Sequence, residues 1–119
     1  MTSYVGTDII EIARIRQALA RHGERFLNRV YTPAERGLYA GKPPSLAARF
    51  AGKEAVMKLL GAKGIGWQDI EILAHPGGQP RLSLYGKAKS RAQELGIKDI
   101  AISLSHSRAY AIATAVASS

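Results

Sequence analysis

Near the start of the chain, Ile12, Ile15, Leu19, His22 and Phe26 fall on one stripe, which predicts an amphipathic helix with a period of ~3.6 residues. Asp8-Ile9-Ile10-Glu11 opens this helical pattern, and Arg14, Arg21 and Arg25 share a second stripe. Gly23 stands where it would interrupt or cap the helix. Ahead of it, Tyr4 to Ile9 is rich in β-formers and short enough for a first or edge strand. Thr32-Pro33-Ala34-Glu35 reads as an N-cap, a first-turn proline and a capping-box acid, so a short helix to about Tyr39 is expected. Gly41 to Pro44 reads as a loop. Ser45 is the expected cap of a long helix from Leu46 to about Leu60, which Gly61, Gly64 and Gly66 end.

The second half reads as sheet with one helix. Asp69 to His75 alternates through Ile70, Ile72 and Ala74, and Pro76-Gly77-Gly78-Gln79-Pro80 is a turn. Arg81 to Tyr85 then returns as a strand. Lys87 to Leu95 is helical and stops at Gly96. Ile100, Ile102 and Leu104 alternate on one strand; Tyr110, Ile112, Thr114 and Val116 alternate on another. Between them, Ser105-His106-Ser107-Arg108 marks a hairpin bend. Without repeats or linkers, the pattern predicts one α+β domain over residues 1–119, with antiparallel strand pairs.

Composition narrows the class. A chain of 119 residues holds a real core without covalent staples. There is no cysteine, which excludes disulfides, thiolate metal sites and cysteine nucleophiles. His22, His75 and His106 are scattered and lack zinc-ligand spacing. No apolar run approaches the ~18 residues that span a bilayer, and Met1 to Asp8 lacks the basic start of a secretory signal. A soluble, cytoplasmic protein without membrane association is expected.

Charge is uneven. The net charge is +8, and residues 12–53 carry nine Lys/Arg against two Glu. Such a block suits an anionic partner: nucleic acid, a phosphorylated ligand, an acidic protein or an anionic surface. A nucleic-acid partner would call for interleaved exposed aromatics or a reading helix. The stripe offers only Phe26, and no nucleic-acid motif is present. Neither G-x-S-x-G, G-x-x-x-x-G-K-[ST] nor H-E-x-x-H occurs, which removes the common hydrolase, NTPase and zinc-protease readings.

Three constellations carry candidate chemistry. In Val5-Gly6-Thr7-Asp8-Ile9-Ile10-Glu11, Asp8 reads either as a helix N-cap with Glu11 completing the box, or as a carboxylate facing a ligand or metal at a strand-to-helix junction. In Arg49-Phe50-Ala51-Gly52-Lys53-Glu54-Ala55, followed by Lys58 and Gly61, Glu54 and Lys58 have the spacing of a surface ion pair. The alternative is a carboxylate with Ala47, Ala51 and Ala55 leaving room above it, where two carboxylates and waters suit Mg²⁺ and Lys58 touches a phosphate. In Ser103-Leu104-Ser105-His106-Ser107, the histidine is either incidental to a hairpin or a donor to phosphate oxygens.

Together, V-G-T-D-I-x-E-x-x-R-I, R-F-x-x-K-E-A-x-x-K-x-x-G and S-L-S-H, in this order and over essentially the whole chain, resemble the holo-[acyl-carrier-protein] synthase family. These are the short, single-domain 4'-phosphopantetheinyl transferases. The resemblance implies transfer of the phosphopantetheine arm of coenzyme A to a serine of acyl carrier protein, leaving adenosine 3',5'-bisphosphate. It implies a role in supplying fatty-acid or polyketide carriers. It implies that Asp8 and Glu54 hold Mg²⁺ with water and the pyrophosphate, that Lys58 steadies the pyrophosphate, and that Glu54 or a metal-bound water takes the serine proton. It also implies a homotrimer with active sites between subunits, where Arg49, His106 and Ser107 grip the 3'-phosphate from the neighbouring chain. Lys42 lies in a loop where the family carries basic residues, and Gly61 and Gly64 match the turn beside the nucleotide. Arg14, Arg21 and Arg25 would pair with the acidic carrier, with Ile15 and Phe26 giving apolar contact. A non-catalytic homologue would be expected to lack Asp8, Glu54 or Lys58, and all three are present.

Overall fold

The computed structural model describes residues 1–119. Strand β1 (Ser3–Glu11) leads into α1 (Ile12–His22), α2 (Glu24–Val30), α3 (Pro33–Tyr39) and the long α4 (Pro43–Leu60). A 3₁₀ turn (Trp67–Asp69) then enters the hairpin β2 (Ile70–Ala74) and β3 (Pro80–Leu84). Helix α5 (Gly86–Glu94) and the hairpin β4 (Ile100–His106) and β5 (Tyr110–Ser118) complete the chain. The strands form a three-stranded sheet in the order β1-β5-β4 and a separate pair β2-β3, all antiparallel. This is the α+β class that the alternating pattern predicts. No helix is long and apolar enough to cross a membrane.

Helix α4 is the centre of the molecule. It lies on one face of β1 and β5 and is buried on most sides. Close approach needs residues without bulk. A Cβ on Gly6 would run into the Ala55 carbonyl, and one on Gly52 would sit 2.6 Å from Ile72 Cδ1. Ala47, Ala51 and Ala55 are each 0% exposed, so these small residues admit the sheet and the flanking helices instead of leaving space above Glu54. One core group joins α4 to the two sheets and α5 through Ala55, Leu59, Ile70, Ala88 and Ala115. A second joins it to α1–α3 through Ile12, Ile15, Tyr31 and Leu46.

Local differences from the sequence pattern have physical causes. Asp8 belongs to β1, paired with Ala113, and helix α1 starts only at Ile12. Glu11 stands at its N-cap without a side-chain cap bond, so of the two readings of Asp8 the capping box with Glu11 does not form. Pairing with β5, remote in sequence, extends the strand past the local helix signal. Helix α4 begins at Pro43 with Lys42 at its N-cap, ahead of Ser45. Prolines in the first turn lose no helical hydrogen bond, because those N–H groups have no partner within the helix. Gly23 adopts φ 52° and separates α1 from α2. The Thr32–Glu35 capping box forms as expected.

Candidate active site

Alternation along β1 turns Gly6, Asp8 and Ile10 toward α4, while Val5, Thr7 and Ile9 face outward. On α4, Phe50, Glu54 and Lys58 follow one another at four-residue steps and so share a face. Gly6 brings the two backbones together, and Asp8, the next inward position, meets the residues of that face. Lys58 Nζ donates to Asp8 Oδ1 at 3.0 Å and to the Thr7 carbonyl at 3.0 Å. The i,i+4 pair between Glu54 and Lys58 is not formed; Lys58 crosses to the sheet.

Asp8 and Glu54 line one cavity of about 370 Å³. Arg14, Ile15 and Ala18 of α1, Phe26 of α2 and Phe50 complete much of its wall. Burial pushes the Glu54 carboxyl above the usual range, the Asp8 charge adds to this, and Lys58 opposes it. Two carboxylates stand on the rim of one hollow, Asp8 paired with Lys58 and Glu54 without a salt-bridge partner, with Arg14 on the same wall. No group of three or more His, Asp or Glu side chains gathers anywhere in the chain. The pair therefore suits a hard cation that keeps waters and takes its other ligands from a substrate's phosphate oxygens. It does not suit a closed structural metal site.

An aromatic ladder backs this hollow. Phe50 stacks on Trp67 at 4.7 Å between ring centroids and lies 6.4 Å from Phe26, whose ring meets Tyr31 edge-on at 5.9 Å. The role of Phe50 and Trp67 is absent from the sequence reading. In the sequence, Phe50 stands only as a motif residue four positions before Glu54.

The remaining candidate residues divide into three groups. Ile15 is 2% exposed and forms floor, while Arg14, Arg21 and Arg25 are exposed. Gly23 breaks the single stripe between Arg21 and Arg25, yet Phe26 lies on both the Asp8–Glu54 cavity and a second hollow with His22, Arg25 and Arg29. Gly61 caps α4 at φ 64° and Gly64 turns at φ 81°, both just beyond Lys58 and outside the cavity lining.

Arg49, His106 and Ser107 form the third group, and none lines the cavity. Arg49 donates from Nε to the Ile72 carbonyl at 3.1 Å and from Nη2 to Tyr39 Oη at 2.9 Å, with its Cζ 3.8 Å above the Tyr39 ring. No buried side-chain nitrogen or oxygen lacks a partner, so the unpaired Nη1 of Arg49 reaches the surface. His106 is exposed at the end of β4. Ser107 Oγ accepts from the Tyr110 and Ala109 N–H groups at 3.2 and 3.4 Å and so shapes the hairpin turn.

The chain is similar to known proteins over nearly its whole length. The description of the 4'-phosphopantetheinyl transferase superfamily matches residues 4–115. A holo-[acyl-carrier-protein] synthase of Dehalococcoides mccartyi is 58% identical over 115 residues, covering 96% of this chain and 97% of the relative. The synthase of Moorella thermoacetica is 52% identical over 120 residues, covering 96% and 92%. The crystal structure of the Helicobacter pylori synthase in complex with coenzyme A superposes with a TM-score of 0.86 at 35% identity, covering 96% of this chain and 99% of that one.

Proposed function

The chain belongs to the 4'-phosphopantetheinyl transferase superfamily, and from that premise we propose that it moves the 4'-phosphopantetheine group of coenzyme A onto a serine of apo-acyl carrier protein, leaving adenosine 3',5'-bisphosphate. Relatives named holo-[acyl-carrier-protein] synthase support the reaction and its carrier substrate. A similar structure holding coenzyme A supports the donor. One observation in this chain carries the reading furthest: Asp8 and Glu54 share a hollow with Arg14, Phe26 and Phe50. A phosphate-handling carboxylate pair thus adjoins a basic and aromatic rim fit for an acidic protein.

The serine hydroxyl attacks the phosphorus next to the pantetheine arm, and the bond from that phosphorus to the bridging oxygen of the pyrophosphate breaks. The leaving group is itself a phosphate and needs no proton. Both partners are anionic or become so, hence positioning and charge neutralisation supply most of the catalysis. Asp8 and Glu54 would hold Mg²⁺, whose chemistry is to neutralise pyrophosphate charge. Lys58 already reaches the Asp8 carboxylate and has an exposed stem, so its ammonium is placed to contact a phosphate oxygen. The proton that the serine gives up would pass to Glu54 or to water in the same hollow.

A homotrimer with active sites between subunits completes the reading. It is supported by the outward face of β1 and β5, opposite α4. Val5 and Val116 pair there, as do Ile9 and Ile112, with exposures of 66%, 46%, 60% and 43%. These exposed apolar pairs, separated by the Thr7–Thr114 pair, support an interface on this face. Arg49, His106 and Ser107, which lie outside their own chain's cavity, would then serve a neighbour's nucleotide. The reading includes a cytoplasmic setting and a supply of carriers for fatty-acid synthesis. Release of adenosine 3',5'-bisphosphate that requires the chain, coenzyme A, a divalent cation and apo-carrier together tests the reaction. Restored turnover on mixing Glu54→Ala with His106→Ala subunits tests the shared site.

A further inference from the structure

Behind the reactive face of α4 lies a buried ion pair that touches neither Asp8, Glu54 nor Lys58. Glu35 of α3 and Lys53 of α4 are each 0% exposed and meet at 2.7 Å. Lys53 Nζ donates to Glu35 Oε1, to the Trp67 carbonyl at 3.0 Å and to the Ile70 carbonyl at 2.6 Å, which uses all three ammonium protons. Glu35 Oε1 also accepts from the Thr32 N–H at 2.8 Å, and Oε2 accepts from the Ile72 N–H at 2.8 Å.

Stability alone does not explain two charges taken fully out of water. A well-packed apolar pair of similar volume is often as stable or more so. The charged pair does something an apolar pair does not: it fixes four backbone groups of separate segments at hydrogen-bond distance from one point. Two of these lead to the site. Trp67, whose carbonyl is held, stacks on Phe50 of the cavity wall. Ile72, whose N–H is held, accepts Arg49 Nε through its carbonyl, and α3 brings Tyr39 beneath the same guanidinium.

We infer that Glu35 and Lys53 are positioning residues for phosphopantetheine transfer, setting the Trp67–Phe50 wall for the carrier and the Tyr39–Ile72 brace of Arg49 for the nucleotide. This deepens the proposed function and rests on that reading of the two surfaces. The contacts of Lys58 with Asp8 and Thr7 do not run through the pair. Its loss therefore acts on binding more than on turnover.

The test is the full chain carrying Glu35→Leu and Lys53→Met together. The melting temperature is expected to fall, because the exchange leaves the Thr32 and Ile72 N–H groups and the Trp67 and Ile70 carbonyls without their buried partners, so the kinetic and emission readouts are taken well below the variant's melting point. The emission of the only tryptophan, Trp67, shifts as its stack on Phe50 loosens. The Michaelis constants for carrier and for coenzyme A each rise about tenfold, with kcat within about twofold. A variant with parental emission and both Michaelis constants unchanged overturns the inference. Should the double variant fail to fold, Trp67→Leu reads the carrier arm alone: the carrier Michaelis constant rises and that of coenzyme A does not, and an unchanged carrier constant overturns the inference. Failure of the underlying reaction looks different. The parent chain then transfers nothing, while the emission shift still reports whether the pair holds Trp67 in place.

Discussion

Lys58 reaches from α4 to Asp8 on β1, with Nζ 3.0 Å from Oδ1, and leaves Glu54 on its own helix without a salt-bridge partner. The cation thus answers one carboxylate of the pair and not the other. Replacing it by Lys58→Met removes both this contact and the proposed phosphate contact. Transfer should fall at least tenfold in kcat/KM for coenzyme A, a loss of about 1.4 kcal/mol in transition-state stabilisation. Lys58 is 54% exposed, so folding stability should change by less than about 1 kcal/mol. Steady-state rates and a denaturant titration of the variant check both expectations.

Asp8→Ala and Glu54→Ala should each abolish turnover and leave the fold intact. Asp8 caps no helix, because α1 starts at Ile12 without a side-chain cap, so the ordinary capping cost does not apply. Circular dichroism and melting of both variants, beside their rates, separate chemistry from folding. Near-parental turnover by either variant would remove that residue from the site.

The raised carboxyl of Glu54 gives a pH signature with a definite sign. The folded chain holds this proton more tightly than the unfolded chain, owing first to burial and then to Asp8. The linked stabilisation is present below the unfolded carboxylate range and is lost as pH rises through the folded value. In the presence of a chelator, Glu54→Gln should therefore gain melting temperature relative to the parent as pH rises from acidic to neutral. Adding Mg²⁺ at neutral pH should raise the melting temperature of the parent and not that of Glu54→Gln. A gap that closes with rising pH would carry the wrong sign.

The basic face is expected to choose the carrier. Arg14→Glu, on the same hollow as Phe26, should raise the Michaelis constant for the carrier far more than that for coenzyme A. Like charges brought together at an interface cost up to several kcal/mol. Salt should mimic the change in the parent, since exposed charges are screened within about 10 Å at 0.1 M. Both constants, measured at two salt concentrations, decide it. Equal weakening of both substrates would show that the face does not discriminate.

Much of this architecture was legible in the chain because its signals are local. The Thr32–Glu35 capping box, the break at Gly23 and the alternation before and after His106 each act over a few residues. What local spacing misread depends on remote partners. Asp8 looks like a cap beside Glu11, but pairing with Ala113 keeps it in a strand. Glu54 and Lys58 have helical ion-pair spacing, yet Gly6 brings β1 close enough for Asp8 to take the lysine. Ala51 and Ala55 suggested an open space, and the sheet fills it. The family resemblance named Asp8, Glu54 and Lys58. It did not reveal Trp67 behind Phe50 or Glu35 under Lys53, because those contacts join segments whose spacing carries no periodic signal.

The intact mass of the acyl carrier protein tests the central claim most directly. Apo-carrier incubated with the chain, coenzyme A and Mg²⁺ should gain the mass of one phosphopantetheine group at a single serine, and Glu54→Ala should leave the mass unchanged. An apo-carrier whose mass stays constant with the parent chain, under conditions where another member of the family converts it, would contradict the account.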